Sequence, residues 1–230
     1  MNVVPPRSVV QPVSVLLVDD DPSLRQGLRT LLHFYNTSNY APFTIVGEAA
    51  TPEQAISLVR QQDPVLILLD MGLGGSNAGG LATLKHLREF YRGKVLILSG
   101  HQDDELIFQA MQAGAAGYLS KDTLAAQLHT AITTILADQI YLAPDVATRF
   151  FRVFQLHAGR SLTNHSSIRL SDRELEVLHH LVQGDPNAEI ARSLYITVAT
   201  VKAHLTSIFD KLGVKSRSQA IVTALRLGLV

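Results

Sequence analysis

Short apolar runs alternate with amphipathic stretches through the first 140 residues. The runs are VSVLLV (13–18), FTIVGE (43–48), VLILL (65–69), KVLILS (94–99) and AGYLS (116–120). Between them, apolar residues recur at helical spacing, as in Leu24-Leu28-Leu31-Leu32 and Leu81-Leu84-Leu87. A near-continuous apolar run is a strand buried on both faces, and five strand–helix units of this kind predict a parallel sheet covered on both sides. The front of the chain is therefore expected to be an α/β, (βα)5 doubly wound domain.

The alternation stops near residue 140. PDVATRFFRVFQL predicts a helix from Pro144 to about Leu156, and HAGRSLTNHSS, rich in Gly, Ser and Asn, reads as a linker. After it come four helix start signals and no strand. Ser171 and Glu174 form a capping box before DRELEVLHHLVQ, which Gly184 ends. Asp185 and Pro186 are expected to start NAEIARSLY, Thr197 to cap VATVKAHLTSIFDKL, and Ser216 with Gln219 to form a second box before RSQAIVTALRLG. The expected organisation is a flexible tail (1–12), an α/β domain (13–140), a linker with a helical first half (141–167) and an all-α four-helix domain (168–230).

Charge sharpens this division. The formal net charge is zero, yet residues 1–145 carry nine Lys and Arg against fourteen Asp and Glu, while residues 168–230 carry eight against six. An acidic front and a mildly basic back suit different partners. The chain has no cysteine, which excludes disulfides and thiolate chemistry. No apolar run reaches the ~20 residues of a membrane span, and the start lacks the apolar core of a secretory signal, so a cytoplasmic location with no membrane contact is expected.

In an open α/β sheet, ligands bind beyond the carboxyl ends of the strands. Asp19 and Asp20 follow the first strand, Asp70 ends the third, Ser99 the fourth, and Lys121 follows the fifth. Three adjacent aspartates (19–21) repel one another, and a hard divalent cation offsets that repulsion. All-oxygen ligands without His or Cys suit Mg²⁺. Mg²⁺ beside a lysine neutralises a transferring phosphoryl group, and Asp70, alone after its strand, is the candidate nucleophile. Asp21, before Pro22, reads as a helix cap rather than a ligand.

These residues resemble the receiver domain of two-component response regulators. The family's acidic pair matches Asp19 and Asp20, its phosphoacceptor Asp70, its switch hydroxyl Ser99 and its lysine Lys121. The resemblance implies phosphotransfer to Asp70 from a sensor histidine kinase. It also implies that the Gly72 backbone carbonyl completes the metal shell, and that Tyr118 is the aromatic that swings inward when the hydroxyl moves. The chain departs from the family after Asp70: DMGLGGSNAGGL has Gly74 where a proline is usual, and its Gly79-Gly80 pair arrives late, which suggests a Gly-rich loop about two residues longer.

The last 60 residues resemble the LuxR-type helix-turn-helix, through Arg173-Glu174, Val177-Leu178, Gly184, Asn187, Glu189-Ile190-Ala191, Leu194, Thr200-Val201-Lys202, His204 and Lys211-Leu212-Gly213-Val214. Together the halves resemble a NarL/FixJ-type regulator. The resemblance implies binding of double-stranded DNA at a pseudo-palindromic operator by a homodimer formed on phosphorylation or on DNA. The DNA-contact candidates are Thr200, Lys202, Ala203, His204, Thr206 and Ser207, with Lys211, Lys215 and Arg217 as phosphate-positioning charges. Val201, Leu205, Ile208 and Leu212 have core spacing, and Ile221, Ala224 and Leu225 are expected on the dimer face of the last helix. Competing classes fit less well. Aspartate-nucleophile phosphatases usually carry a second acid two residues after the nucleophile, where this chain has Gly72, and quorum-sensing relatives lack the strand-end acids. The remaining alternative is a receiver that works without phosphorylation.

Overall fold

The computed structural model describes residues 12–37, 42–76, 79–100, 103–158 and 168–230. Most of the expected tail (1–12) and residues 159–167 of the expected linker lie outside these. The front half is a six-stranded parallel sheet in the order β2-β1-β3-β4-β5-β6, with β1 Val13–Val18, β2 Phe43–Ala49, β3 Leu66–Asp70, β4 Lys94–Ser99, β5 Gly117–Ser120 and β6 Tyr141–Leu142. Its helices are α1 Pro22–Thr37, α2 Pro52–Gln62, α3 Gly79–Phe90, α4 Asp104–Gln112 and α5 Leu124–Leu136.

Strand side chains alternate between faces, so each apolar strand serves two cores. Val15, Leu17, Leu66, Leu68, Leu96 and Leu98 pack under α1 and α5, while Leu16, Val18, Ile67, Leu69, Val95 and Ile97 pack under α2, α3 and α4. Burial on both faces is why these runs read as unbroken apolar stretches.

Two features correct the expected organisation. A sixth strand, β6, lies inside the span read as linker. The helix after it, α6 (Pro144–Ala158), adds Val146, Phe150 and Val153 to the core beneath α4. Arg149 and Arg152 pair with Asp104 at the start of α4, and His157 stacks on Phe108 with ring centroids 4.7 Å apart. The helical half of the linker is thus bound to the front domain, because its apolar stripe has α4 to cover.

The back domain comprises α7 Asp172–Gln183, α8 Asn187–Ser193, α9 Val198–Leu212 and α10 Arg217–Leu227 around Val177, Leu178, Leu181, Ile190, Val201, Ile208 and Ala220. Ser171 and Glu174 form the full reciprocal cap. The second box differs: Ser216 accepts from the Gln219 amide, but the Gln219 side chain accepts from Lys215 one residue further back. Asp185 does not cap α8. Pro186 occupies the cap position without a side-chain bond, and the Asp185 carboxylate meets His180 Nδ1 at 2.7 Å instead.

The two domains touch. Val222 of α10 is buried in the core beneath α4, Asn187 Nδ2 donates to Asp138 Oδ2 at 2.9 Å, and Gln139 Nε2 donates to the Gly184 carbonyl at 3.2 Å. Among the described residues no helix is long and apolar enough to cross a membrane.

Candidate functional site: a strand-end acidic pocket and a helix-turn-helix

The ends of β1, β3 and β5 bring Asp19, Asp70 and Lys121 together. Asp19 is fully buried, and its amide continues the sheet by donating to the Ala49 carbonyl. Asp70, the last residue of β3, is 4% exposed. Lys121, in a single 3₁₀ turn after β5, reaches between them: its Nζ lies 2.7 Å from Asp70 Oδ1 and 2.9 Å from Asp19 Oδ2. Carboxylate oxygens of Asp19, Asp20 and Asp70 lie within 4.8 Å of one another, with Asp20 on the exposed rim.

Burial pushes the Asp19 carboxyl above its usual range, and neighbouring Asp70 adds to this against the pull of Lys121 and of the Asp21 amide. Burial works against the Lys121 ammonium, but its bonds to Asp70 and Asp19 more than offset that and raise its pKa. Asp21 stands apart and accepts from the Ser23 amide at the start of α1. Arg25 was not singled out by the sequence, yet its guanidinium donates to the Asp19 carbonyl at 2.6 Å and to Glu48, bracing the acidic turn. Its only sequence signal is a basic residue one turn into the first helix.

Ser99 is buried at the end of β4, and the Tyr118 hydroxyl hydrogen-bonds to its side chain. Tyr118 is 2% exposed, so the aromatic expected to swing inward already points inward while the domains touch. Gly72 accepts from the Gly75 amide, and its missing side chain leaves space 3.3 Å from Asp70 Oδ2. The glycine pair has a clear purpose. A Cβ on Gly80 would lie 2.0 Å from the Asp70 carbonyl, and one on Gly79 would lie 1.8 Å from that of Leu73. α3 therefore starts directly against the strand end that carries Asp70.

In the back domain, Lys202, Ala203 and Thr206 are exposed on α9, with Thr200 and His204 half-buried. Val201, Leu205, Ile208 and Leu212 are buried, as their spacing predicts. The Thr200 hydroxyl pairs with that of Thr197 and the Thr206 hydroxyl donates to the Lys202 carbonyl, both within their own helix or its cap, while three DNA-contact candidates bond to α7 or the turn after it. Ser207 donates to Glu174 at 2.7 Å, Lys211 contacts both Glu174 oxygens at 2.6 and 2.8 Å, and Arg217 donates to the Leu181 and Asp185 carbonyls. The buried Glu174 carboxylate demands those donors. The Lys211 ammonium, then the Ser171 amide and Ser207, hold Glu174 down to about 2. Sequence reading missed Tyr195, a residue with φ 55° and 96% exposure in the turn before α9. On α10, Ala224 is fully buried within its own domain, which corrects its expected place on a free dimer face. Ile221 and Leu225 are half-buried.

Comparison with known proteins agrees with this geometry. Residues 15–133 match the response regulator receiver domain, and residues 169–224 match the bacterial regulatory proteins of the luxR family. The nitrate/nitrite response regulator protein NarL of Escherichia coli K12 is 37% identical over 214 residues, covering 92% of this chain and 94% of NarL. The transcriptional regulatory protein LiaR of Bacillus subtilis is 34% identical, covering 95% of this chain and 99% of LiaR. A solved LuxR-family response regulator from Aurantimonas is 31% identical with a TM-score of 0.55, covering 62% of this chain and 98% of that one. The RcsB–DNA complex, 19% identical with a TM-score of 0.55 over 93% of this chain and 98% of that one, shares the fold. A strand-end acidic pocket in one domain, a helix-turn-helix in the other and relatives matched along nearly their whole length lead to one family. The chain belongs to the two-component response regulators of the receiver–LuxR type, transcription regulators whose DNA binding is governed by phosphorylation.

Proposed function

We propose that Asp70 is the phosphoacceptor, and that the carboxylates of Asp19, Asp20 and Asp70 with the Gly72 carbonyl hold Mg²⁺. The donor set fits a hard cation: every atom is oxygen, and the fully buried Asp19 gains from a positive neighbour. When bound, Mg²⁺ supplies charge neutralisation for the phosphoryl oxygens. Asp70 attacks the phosphorus of a kinase phosphohistidine, the P–N bond breaks as the P–O bond forms, and the imidazole leaves with the electron pair. The Lys121 ammonium follows the charge onto the new acyl phosphate, and the Ser99 hydroxyl donates to it. Drawing Ser99 toward the phosphoryl group strains its bond with Tyr118, which packs beneath α4, the helix that α6 and α10 both touch.

The output is DNA. Lys202, Ala203 and Thr206, with Thr200 and His204, face the major groove, while Lys215 and Tyr195 meet the backbone. Ser207, Lys211 and Arg217 hold the helix in its frame. Two subunits pair through α10 once it leaves α4, reading a two-fold site, and a DNA target makes the cytoplasm the place of action.

The observation that carries this reading is the Lys121 ammonium lying 2.7 Å from Asp70 and 2.9 Å from Asp19. Acetyl phosphate with Mg²⁺ is expected to add one phosphoryl mass to the protein and none to Asp70→Asn. It is also expected to strengthen binding to a selected operator in the wild type only. Equal operator binding by treated wild type and variant returns the chain to the class of phosphorylation-independent receivers.

A further inference from the structure

Where the domains meet, a cavity of about 300 Å³ is lined by Arg88, Arg92 and Lys94 from the receiver and by Lys202, Lys215 and Arg217 from the helix-turn-helix. Among the described residues of the lining a single carboxylate, Asp138, is present, and it already pairs with Lys94 at 2.6 Å. Six cations face one acid. Like charges brought together from two domains repel, and among the described residues of the lining no other carboxylate offsets them, although Asp185 pulls on Arg217 from outside it.

The guanidinium of Arg88 sharpens the point. It is 4% exposed, and its hydrogen bonds to described residues all go to backbone carbonyls, those of Tyr91, Gly93 and Gly114. Its Nε is buried without a hydrogen-bond partner among the described residues, as are Nε and one terminal nitrogen of Arg217. Across Gly114, a Cβ would fall 3.2 Å from Arg88 Nε and 2.9 Å from Ser216 Oγ, so the bare glycine lets a receiver donor and a hydroxyl of the other domain converge. Ser216 also caps the start of α10, whose positive end adds to the field. Burial pushes both Arg88 and Arg217 down to about 10, Arg88 with neighbouring Arg92 adding to the shift and Arg217 against the pull of Asp138 and Asp185.

We propose that this crevice is a binding site for a phosphate-type oxyanion, held between the domains by Arg88, Arg92, Lys94, Lys202, Lys215 and Arg217. The size, at the low end for ligand pockets, suits inorganic phosphate, pyrophosphate or the phosphate tail of a nucleotide. The anion needs both walls, so it binds the closed molecule and opposes opening. It also occupies Lys202 and Lys215, so DNA and the anion exclude each other. That last consequence rests on the assignment of α9 to DNA; the site itself does not.

Titration calorimetry on full-length Asp70→Asn protein, without Mg²⁺ and in low chloride, tests it apart from the phosphorylation pocket. Inorganic phosphate and pyrophosphate are each expected to bind saturably at one site per chain, pyrophosphate more tightly. ADP binding as well as pyrophosphate identifies a nucleotide tail as an accepted source; ADP failing while pyrophosphate binds identifies a free inorganic anion. Arg92 is exposed, so Arg92→Gln should fold and weaken binding about tenfold by loss of a charge-assisted contact. Arg88→Gln should abolish it, with circular dichroism reporting the fold; if that variant unfolds, Arg92→Gln decides alone. Arg60→Gln, outside the crevice, should bind like its parent. Absence of saturable binding, or equal affinity in the parent and Arg92→Gln, overturns the proposal. No DNA enters these measurements, so failure of the DNA-contact assignment is read separately.

Discussion

Lys121 is the residue on which the acidic pocket balances. With Lys121→Met, Asp19 and Asp70 face each other without a cation, one of them fully buried. The lysine is a quarter exposed, so the expected loss is about 1–3 kcal/mol, less than for a fully buried pair. Thermal melts in EDTA should show it, and added Mg²⁺ should restore more stability to the variant than to the wild type. Glu174 makes a matching case in the other domain. Its folded pKa of about 2 lies below the ~4.3 of an unfolded glutamate, so its contribution is present above pH ~4.3 and is lost as pH falls toward 2. Glu174→Gln should lower the midpoint of the back-domain transition at neutral pH and flatten its acid dependence, as followed by circular dichroism. Strand periodicity places Asp19, Asp70 and Lys121 at one end of the sheet, because a parallel sheet carries all its carboxyl ends on one side. The sequence did not mark Arg25, and it marked Glu174 as half of a capping box and a family match, not as the partner of Lys211. Their importance comes from a partner in space, an Asp19 carbonyl in one case and a Lys211 ammonium in the other.

At the scale of elements, the glycine pair at the start of α3 is the sharpest constraint. Gly80 lies against the Asp70 backbone, which cannot move without disturbing β3. Gly80→Ala should cost about 1–3 kcal/mol by overpacking, measured by chemical denaturation, and should slow phosphorylation of Asp70. The sequence departs from the family pattern in this loop, and in the fold its glycines serve close packing. Helix starts were legible where the signal is local, as with Ser171 and Thr197, whose side chains cap the next amides. Asp185 misled because His180, one turn back, offered its carboxylate a better partner. β6 escaped notice because two residues have no periodicity to read, and its pairing depends on the β5 edge.

For the whole molecule, α10 is the pivot. Val222 sits 3% exposed in the core under α4, although it belongs to the other domain. Val222→Ser removes apolar area that counts only while the domains are closed, worth about 1–2 kcal/mol. Unphosphorylated Val222→Ser should therefore bind the selected operator several-fold more tightly than wild type, and X-ray scattering should report a larger radius. An unchanged radius together with unchanged DNA binding would mean that α10 does not hold the domains together.

The sequence alone determined the order of the first five strands with their helices and of the four back-domain helices, the strand-end acids with their lysine, and the core stripe of α9, because each follows from periodicity or from a fixed spacing along one element. Only the tertiary structure decided what lies across a gap: that α6 covers α4, that Ala224 faces inward while Val222 reaches the other domain, and that six cations share one crevice. Residues far apart along the chain meet there, and no local pattern records the meeting.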